Sequence, residues 1–396
     1  MSTWIAFTDL RRELYLLNTI SHEVSHFFPD MRVEYYNWSP DGRYLAFSAL
    51  PSPSTNGLYT LSLFDSESKT IQQVTQARER MIWNWSPDGR KLAFTLEKDR
   101  DESGKLWMME VESGTRELLT GETAFVIWSR ESGELVGLWH DRHENGAIHV
   151  MEPDGRRPRL LTPGEHVVFS RHGHNWSTLI NWSPNGQFFA SHLCHRMESF
   201  DSQGQLVSRQ VDLHLQVVDT EGKLIFERPW EAHLYTWSPD SRHLACIATI
   251  NEVEGKKGPG VGEQYVCVLP WDGSALHILG TTKFWPHHRV AWSPDGQYLA
   301  FAGYPGSQYR EDGQCVLWIG RADGQEARAL TEPLELGENE MTDPPRPTWS
   351  PDGTQIAFVD TGSLWVVDLH EGTPHPFPGT EKLSENVITE EIAWQP

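Results

Sequence analysis

Histidines are the residues of this sequence best suited to metal binding and proton transfer, and there are 18 of them in 396 residues. Nine fall in short stretches that the sequence pattern places beside the ends of strands. They are His140, His143, His172, His174, His192, His195, His233, His287 and His288. Imidazole binds Zn, Mn, Fe or Ni and exchanges a proton near neutral pH. The set therefore predicts a metal or acid–base site if the fold brings these residues together.

Two of these histidines share one position of an internal repeat: His233 precedes Trp237 by four residues, as His288 precedes Trp292. We predict His233 and His288, with Glu390, as catalytic residues at the mouth of a central channel. The candidate ligands of a divalent transition metal are His172, His174, His192, His195, His233, His287 and His288. Other carboxylates expected nearby are Glu34, Asp141, Glu144, Glu198, Glu231 and Glu391. The alternative is that surface loops simply carry these histidines, each satisfied by water or a neighbour.

A second candidate metal site lies between residues 99 and 110. Asp99, Asp101, Ser103 and Glu110 stand at the first, third, fifth and twelfth positions of a segment with Gly104 sixth, which nearly fits a calcium loop. The residues before Glu110 read as a strand rather than as the start of a helix. A plain solvated hairpin is therefore the alternative.

The elements that must position these residues follow from the repeat. The stretch Trp-Ser-Pro-Asp-Gly occurs four times, and four further tryptophans begin weaker copies, so a unit returns every 43 to 57 residues. Pro and Asp suit the middle of a tight turn, and Gly accepts the left-handed backbone that closes a hairpin. The repeated tryptophans are Trp38, Trp85, Trp128, Trp182, Trp237, Trp292, Trp349 and Trp394. This spacing is typical of propeller blades.

Each unit holds four short apolar segments, which predict four antiparallel strands. The first ends at the Trp, and the second follows the turn, as in Tyr44–Phe47. Four such strands make a blade, and radial stacking buries both faces of each sheet. We therefore predict an all-β fold: a single closed β-propeller domain over residues 1–396 with eight four-stranded blades. Seven blades are the alternative, if residues 128–172 fold differently.

The two ends of the sequence predict how the ring closes. Residues 391–394 match a first strand, whereas residues 4–7, 13–17 and 22–27 match a second, a third and a fourth strand. The C-terminal strand and the N-terminal three would then form the last blade. Closure of this kind removes the exposed edges of an open array.

The repeat resembles the TolB-type repeat, a relative of WD-repeat propellers, in its Trp-Ser-Pro-Asp-Gly turn, its Leu-Ala-Phe strand and its Leu-Thr ending. The resemblance spans essentially the whole chain and implies the propeller fold. It implies no single function, because such repeats occur in periplasmic scaffold proteins, in the propellers of prolyl oligopeptidase-like hydrolases and in metal-dependent lyases. The sequence lacks the Gly-x-Ser-x-Gly nucleophile motif of those hydrolases.

Loop length predicts which end of the propeller binds a ligand. The loops that lead into each first strand share one end with the loops that join second and third strands, and all nine histidines map there. Candidate ligand-binding residues at this end are Arg171, Trp176, Arg196, Trp285, Arg289, Tyr309 and Arg346. Aromatic and Arg side chains are effective anchors for a partner.

Charge and composition limit the class of partner and the compartment. The formal net charge of -22 disfavours nucleic acid as a partner and favours a basic protein, a cationic ligand or a metal ion. No apolar run approaches the ~20 residues of a membrane helix, and the amino terminus lacks the pattern of a signal peptide. We therefore expect a cytoplasmic monomer that does not bind membranes. Cys194, Cys246, Cys267 and Cys315 are predicted as buried free thiols, with a Cys246–Cys267 disulfide as the alternative.

Two functions of different classes fit these observations. The first is a binding or scaffold propeller that recognises a protein, peptide or small-molecule ligand on its loop-rich, histidine-rich end. The alternative is a histidine-centred, metal-dependent enzyme of the lyase, hydrolase or isomerase type, acting on a small molecule at the channel mouth. Convergence of the histidines on one cavity would favour the enzyme.

Overall fold

The computed structural model describes residues 4–9, 11–27, 30–51, 57–78, 81–96, 104–123, 125–129, 133–140, 146–154, 156–162, 180–200, 206–228, 231–249, 252–253, 256–257, 264–282, 290–303, 314–332, 334–335, 346–360, 363–370, 372–378, 380 and 392–396. Over these residues the regular structure is all β. The strands form eight antiparallel blades of four strands each, which follow one another along the chain. This confirms the predicted fold class.

The first three strands are β1 (Trp4–Thr8), β2 (Leu14–Asn18) and β3 (Val24–His26). Blade one consists of β4 (Met31–Trp38), β5 (Tyr44–Pro51), β6 (Tyr59–Asp65) and β7 (Thr70–Ala77). Blade two consists of β8 (Trp83–Trp85), β9 (Lys91–Leu96), β10 (Gly104–Glu110) and β11 (Arg116–Thr123). Blade three consists of β12 (Phe125–Trp128), β13 (Leu135–His140), β14 (Gly146–Met151) and β15 (Arg159–Leu160).

Blade four consists of β16 (Ile180–Trp182), β17 (Phe188–Phe200), β18 (Leu206–Asp219) and β19 (Leu224–Arg228). Blade five begins with β20 (Glu231–Trp237) and β21 (His243–Thr249), continues through the small hairpin β22 (Glu252–Val253) and β23 (Lys256–Lys257), and ends with β24 (Gln264–Pro270) and β25 (His277–Thr282). Blade six consists of β26 (Val290–Trp292), β27 (Tyr298–Gly303), β28 (Gln314–Arg321) and β29 (Arg328–Ala329), with β30 (Leu334–Glu335) added to β28. Blade seven consists of β31 (Thr348–Trp349), β32 (Gln355–Asp360), β33 (Ser363–Asp368) and β34 (Pro374–Pro376), and β35 (Ile392–Trp394) follows it.

Blade eight closes the ring as predicted. Strand β35 pairs with β1, with Ile392 opposite Phe7, and β2 and β3 complete the sheet. The side-chain amide of Gln395 fastens the closure: its Oε1 accepts the N–H of Trp4 at 2.9 Å, and its Nε2 donates to the carbonyl of Gly42 in blade one at 2.6 Å. Because the ring has eight blades, the seven-blade alternative is wrong.

The repeated turn has one hydrogen-bonded arrangement. In blade one the hydroxyl of Ser39 donates to Asp41 Oδ1 at 2.5 Å and accepts the N–H of Tyr44 at 2.9 Å. Asp41 Oδ1 also accepts the N–H of Arg43 at 3.1 Å, and Gly42 takes a φ of 73°. The same arrangement starts at Ser86, Ser183, Ser238, Ser293 and Ser350. The turn therefore recurs because six blades use it to join their first and second strands.

Four of the repeated tryptophans bond a blade to the blade before it. The indole Nε1 of Trp38 donates to the carbonyl of Ala393 at 3.1 Å, and that of Trp349 donates to the carbonyl of Ala291 at 2.9 Å. In both cases the acceptor directly precedes the tryptophan of the preceding blade. The other two bonds of this kind are Trp237 to Asn181 and Trp292 to Thr236. These four tryptophans therefore connect neighbouring blades.

The second strands supply the core of each blade. Leu45, Ala46 and Phe47 are each 0 to 1% exposed, and Phe94, Phe301 and the other Leu-Ala-Phe residues are buried in the same way. Because both faces of the strand are covered by neighbouring blades, the apolar residues run continuously instead of alternating with polar ones.

Cys246, Cys267 and Cys315 are free and buried, and the backbone of Cys194 lies in β17. Cys246 on β21 lies directly opposite Cys267 on β24, and burial, together with the neighbouring Cys246 thiol, raises the pKa of Cys267 well above its ordinary value. Burial likewise raises the pKa of Cys315 to about 12. Cys267 and Cys315 are therefore protonated and unreactive at neutral pH. Because Cys246 and Cys267 are both free, the disulfide alternative is wrong. Separately, the described residues contain no helix of the length and apolarity needed to cross a membrane.

Candidate functional site

The propeller has two ends, which carry different connections. We call the end that holds the Ser39–Gly42 turn and its five counterparts the turn face. The opposite end, where residues 9–13 join β1 to β2 and where β3 leads towards β4, is the loop face. Every first strand runs towards the turn face and every second strand runs away from it, because the blades are antiparallel.

Four of the nine predicted histidines lie on described backbone. His140 ends β13 at the loop face, His192 and His195 lie in β17, and His233 lies in β20. The remaining five, and the other predicted catalytic residue, lie outside the described residues: His143, His172, His174, His287, His288 and Glu390. Convergence of the nine on one cavity therefore stays a prediction.

The predicted positions of His192 and His195 were wrong. Both were expected in a loop that follows the second strand of blade four. Instead, β17 continues to Phe200, so His192 pairs with Leu215 and His195 pairs with Asp212 inside a long hairpin. The polar residues of this segment predict a loop, because the strands buried inside a blade are apolar throughout. A solvated hairpin can form without such an apolar run.

His233 was predicted beside the entry to the first strand of blade five, four residues before Trp237, and the structure places it just inside that strand. Strand β20 begins at Glu231, and its register shifts between Ala232 and Leu234, so that His233 is the extra residue of a β-bulge. Strand β4 carries the same irregularity, with Glu34 as the extra residue. Bulges redirect a side chain and are frequent beside functional sites.

Glu34 shows what the bulge position holds in blade one. Its carboxylate is 7% exposed, with Oε2 at 3.2 Å from Arg12 Nη1 and Oε1 at 2.8 Å from Arg32 Nε. Arg12 belongs to blade eight, so this ion pair spans the seam where the ring closes. Glu34 was expected as a carboxylate near a metal site. Two guanidinium groups already neutralise it, so it is a poor candidate for a metal ligand.

A second polar group lies on the loop face beside this ion pair. Asp9 is 4% exposed, and its Oδ1 accepts the N–H groups of Arg11 and Glu13 at 2.9 and 2.8 Å. The ring of Tyr15 stacks on His26 with centroids 4.4 Å apart, and His26 Nε2 lies 3.0 Å from Glu13 Oε2. Burial, followed by the charges of Asp9 and Glu13, raises the pKa of Tyr15. Mutual bonding among these residues fixes the shape of the loop face at the closing seam.

The candidate binding residues are mostly beyond the described residues. Arg196 lies in β17 and Arg346 directly precedes Pro347 and β31. The others lie outside the described part of the chain: Arg171, Trp176, Trp285, Arg289 and Tyr309. The structure therefore describes no contact between any two of these candidate binding residues.

The calcium-loop prediction fails at its last ligand. Asp99, Asp101 and Ser103 lie outside the described residues, but Glu110 ends the extended strand β10 (Gly104–Glu110). Six steps of about 3.3 Å each place Glu110 roughly 20 Å from Gly104, the sixth position of the segment, whereas ligands of one calcium ion lie about 2.4 Å from it. Glu110 instead pairs with Lys91 Nζ at 3.1 Å. Among the described residues, no group of three or more His, Cys, Asp or Glu could hold a metal ion.

Blade four carries an arm, formed by the longest second and third strands among the described residues. Strands β17 and β18 have 13 and 14 residues, whereas β9 and β10 of blade two have 6 and 7. Over the described residues, β16 pairs with residues 189–191 of β17, and β19 pairs with residues 215–218 of β18. In this part of the chain, residues 193–200 and 206–214 therefore continue as a two-stranded ribbon, about 25 Å long, on the loop face.

An open cavity of about 680 Å³ lies along the first strands of blades six, seven and eight. The first strands of blades six, seven and eight and the prolines that follow them form its wall. The lining residues are Val290, Ala291, Trp292, Pro294, Pro347, Thr348, Trp349, Ser350, Pro351, Ile392, Trp394 and Pro396. None of these described side chains is ionisable.

The residue before each repeated tryptophan differs between blades. Blades one, two and four have Asn37, Asn84 and Asn181 there, whereas blades six and seven have Ala291 and Thr348. In blade one, Asn37 Oδ1 accepts Nε1–H of both Trp83 and Trp85, at 3.0 and 3.2 Å. At Asn181 and Ala291 the backbone carbonyl accepts the indole of the next blade's tryptophan instead.

Sequence reasoning missed both the arm and the cavity. The arm is marked by two long segments without Gly or Pro, residues 188–200 and 206–219, on either side of a short polar stretch. The cavity has no such local signal, because it forms between the first strands of three blades.

Comparison with known proteins shows the fold. No family model matches the chain, and no curated protein is similar to it in sequence. Two solved structures share the fold at low identity. A prolyl endopeptidase is 12% identical with a TM-score of 0.54, covering 88% of this chain and 49% of that chain. A eukaryotic initiation factor is 13% identical with a TM-score of 0.52, covering 100% of this chain and 99% of that chain.

TolB from Acinetobacter baumannii is also among the similar structures, at 15% identity and a TM-score of 0.43, covering 97% of this chain and 79% of that chain. The TolB-type resemblance therefore stands on the sequence repeat and on the eight blades that the repeat forms. At this level of identity the comparisons establish the propeller fold alone.

Proposed function

We propose that this protein is a binding scaffold that takes a protein partner on its loop face, with the blade-four arm as the principal contact. The observation that carries the proposal is the arm itself. A two-stranded ribbon on its own is marginally stable in water, and over the described residues no third strand pairs with the portion beyond the blade. A partner that covers the ribbon would stabilise it.

The arm has the features of a strand-addition surface. Both of its long edges carry backbone N–H and C=O groups that the blade does not use, and such edges pair with a further strand. The register places Glu198 opposite Arg209, a pair of opposite charge, and His195 opposite Asp212. The rest of the propeller supplies a rigid base, because every blade is bonded into a closed ring.

The charge of the chain favours a basic partner. A formal net charge of -22 attracts a positively charged surface over about a Debye length, ~8 Å at physiological ionic strength. Long-range attraction of this kind raises the association rate more than the final affinity. We expect the association rate to fall as salt concentration rises, with a smaller change in the dissociation rate.

Removal of the arm tests the proposal. In the variant, an Asn-Gly turn replaces residues 193–214 and joins His192 to Leu215, which already lie opposite each other. The control is Trp271→Ser, which removes an aromatic side chain that is 38% exposed on the turn face. Proteins captured from the native host are quantified for the parent and both variants, and thermal unfolding verifies that each variant is folded.

We expect the arm-deleted variant to lose at least about 90% of a specific captured protein that the parent and Trp271→Ser retain, because a principal contact typically contributes more than ~1.4 kcal/mol. If the folded arm-deleted variant captures the same proteins in the same amounts, the arm is not the binding element. If only Trp271→Ser loses them, binding takes place on the turn face.

The metal-dependent enzyme is the second candidate, and one observation favours it. His233 occupies the same bulge position in which blade one holds the nearly buried, ion-paired Glu34, so this position accommodates a charged side chain. We predict about one transition metal ion per chain in protein purified without chelators, lost in His233→Ala and His288→Ala. His370→Ala, an exposed histidine after β33, is the control and should retain the metal. Plasma mass spectrometry measures the ratio, and metal-free parent protein would contradict the prediction.

A further inference from the structure

We propose that the inner edge of the blade-four arm pairs with the same edge of a second copy of this chain, which makes the protein a twofold-symmetric dimer. The inner edge is the side of residues 193–200 that faces away from β18. Within the blade this side of β17 pairs with β16, as far as Ser191. Over the described residues no strand pairs with the inner edge beyond that point, so it is open to another strand.

The hydrogen bonds of blade four indicate which residues offer their backbone groups at the inner edge. Ser183 N donates to the carbonyl of Phe188 at 2.8 Å, so Phe188 directs this carbonyl towards the β16 side. Hydrogen-bonded and non-bonded pairs alternate along an antiparallel ladder, so every second residue after Phe188 does the same. Strand β17 pairs with β18 without a register shift up to Ser199. Arg196 and Glu198 therefore present N–H and C=O groups at the inner edge.

A twofold axis restricts how two inner edges can pair. The two strands run antiparallel, and residues equally far from the axis on opposite sides face each other. With the axis at Met197, Arg196 faces Glu198 of the second copy and Glu198 faces Arg196 of the second copy. Both are hydrogen-bonded pairs, which together supply about four backbone hydrogen bonds. An axis at Arg196 or at Glu198 would instead set like charges opposite each other, which is destabilising.

The same register extends the charge pattern of the arm. Within the ribbon Glu198 lies opposite Arg209. In the dimer it would therefore lie between Arg209 of its own chain and Arg196 of the second copy, and opposite charges on facing residues stabilise an antiparallel sheet. Two ribbons joined in this way form a four-stranded sheet, which is more stable than an isolated two-stranded ribbon. A dimer differs from the monomer that the sequence led us to expect, because the arm was not part of that prediction.

The outer edge of the arm, along residues 206–214 of β18, does not have this symmetry. Its residues of opposite charge are Arg209 and Asp212, which are three positions apart. Residues that face each other across a twofold axis lie on the same face of the sheet and are an even number of positions apart. Arg209 and Asp212 therefore cannot face each other in a symmetric dimer, and the outer edge stays available to the protein partner proposed above.

The net charge gives the dimer a characteristic salt dependence. Each copy carries a formal charge of -22, so two copies repel each other over about a Debye length. Salt screens this repulsion more than it screens charge pairs in direct contact. Dimer formation should therefore strengthen as salt concentration rises, whereas the association of a basic partner should slow down.

Charge reversal and complementation test the register. Arg196→Glu puts acidic residues opposite each other at both charged pairs. In the reciprocal variant, Glu198→Arg is combined with Arg209→Glu, which keeps opposite charges across the ribbon. The control is Arg242→Glu, which makes the same charge change at an exposed residue of the turn face. Sedimentation velocity of the whole chain measures the monomer–dimer equilibrium at low and high salt, and melting temperatures verify that each variant is folded.

We expect the parent and Arg242→Glu to reach a mass near twice the 45.3 kDa of one chain. The dissociation constant should rise at least ~10-fold in each arm variant, because the twofold axis repeats each charge change at two pairs. An equimolar mixture of the two arm variants should recover the dimer, since every facing pair then has opposite charges.

Three results would overturn the proposal. The first is a parent protein that sediments as a monomer at every salt concentration. The second is a folded arm variant that dimerises as tightly as Arg242→Glu, which would place the interface elsewhere. The third is a mixture of the two folded arm variants that contains no more dimer than either variant alone. Arg196→Glu keeps the outer edge of the arm, so its capture of a protein partner tests the loop-face proposal independently of the dimer.

Discussion

Asp352 shows how a single side chain maintains a turn. Its Oδ1 accepts bonds from Ser350 Oγ, Thr354 N and Thr354 Oγ1 at 2.6 to 3.0 Å, and these bonds, that of Ser350 first, lower the pKa of the carboxyl group. Because the folded-state pKa lies below the unfolded value, the contribution to stability is complete above pH ~4 and is lost as the pH falls through the folded-state pKa.

We predict that Asp352→Ala lowers the free energy of unfolding at pH 7 by about 0.5–1 kcal/mol, a value reduced by the exposure of the side chain. Asp352→Asn should cost less, because Asn185 forms the equivalent bonds to Ser183 and Gln187 at 2.7 and 3.1 Å in blade four. Urea unfolding at pH 7 and pH 3 measures both effects. Equal stability of the Ala and Asn variants at pH 7 would show that the turn does not need this acceptor.

His243 should make the protein sensitive to mild acid. Burial lowers the pKa of this histidine, with smaller effects from Asp240, which raises it, and from His277 and Arg242, which lower it. Its Nδ1 is buried and has no partner among the described residues. The unfolded chain therefore binds the proton more readily than the folded one, and stability falls as the pH drops below the unfolded value of ~6.5.

We predict that His243→Tyr reduces the loss of stability between pH 7 and pH 5. Tyrosine is the residue at the same repeat position in blades one and six, Tyr44 and Tyr298, so the site should accept it. Melting temperatures measured across this pH range give the test, with exposed His370→Tyr as the control. An unchanged pH profile in His243→Tyr would mean that other groups control the acid sensitivity.

At the scale of elements, the tryptophan bonds determine how one blade holds the next. We predict that Trp349→Phe lowers the free energy of unfolding by about 1 kcal/mol more than Trp182→Phe does. Of these two tryptophans, Trp349 alone donates a hydrogen bond to the preceding blade. The Nε1 of Trp182 is buried and has no acceptor among the described residues, so removing it sacrifices no bond. Urea unfolding compares the two. A larger loss in Trp182→Phe would mean that ring packing, rather than the bond, is what joins the blades.

The elements also show where prediction from the sequence succeeds and where it fails. The turns and second strands were predicted because Ser39–Gly42 and its copies specify their structure through neighbouring residues. The arm was not, because whether residues 193–200 form a strand depends on pairing with residues 206–214 and not on local pattern. The bulge at His233 was missed for the same reason, since a register is a property of two strands.

At the scale of the whole molecule, the ring depends on a few bonds at one seam. We predict that Gln395→Glu costs about 1–3 kcal/mol, because it keeps the acceptor for Trp4 N but places a carboxylate against the carbonyl of Gly42. Gln395→Met removes both bonds without adding charge and should cost less than Gln395→Glu. Differential scanning calorimetry gives the comparison. If neither variant lowers the melting temperature, the seam is held by other contacts.

The ring itself could be predicted in full, since matching strand patterns at residues 4–7 and 391–394 required only the repeat. The cavity could not, because it arises where the first strands of three blades meet. The histidine site is still a prediction: residue type and repeat position suggest its members, and only a folded arrangement could bring them together.

The direction of the tryptophan hydrogen bonds affects how the protein folds during its synthesis on the ribosome. Trp237, Trp292 and Trp349 each reach back to a blade that has already been synthesised, so each new blade can dock as it emerges. Trp38 is different, because its acceptor Ala393 is made some 350 residues later. The first blade must therefore wait through almost the whole of translation, at ~5–20 residues per second, before its partner exists. During those seconds the side of blade one that blade eight will cover is exposed, and the nascent protein is most prone to misassociation.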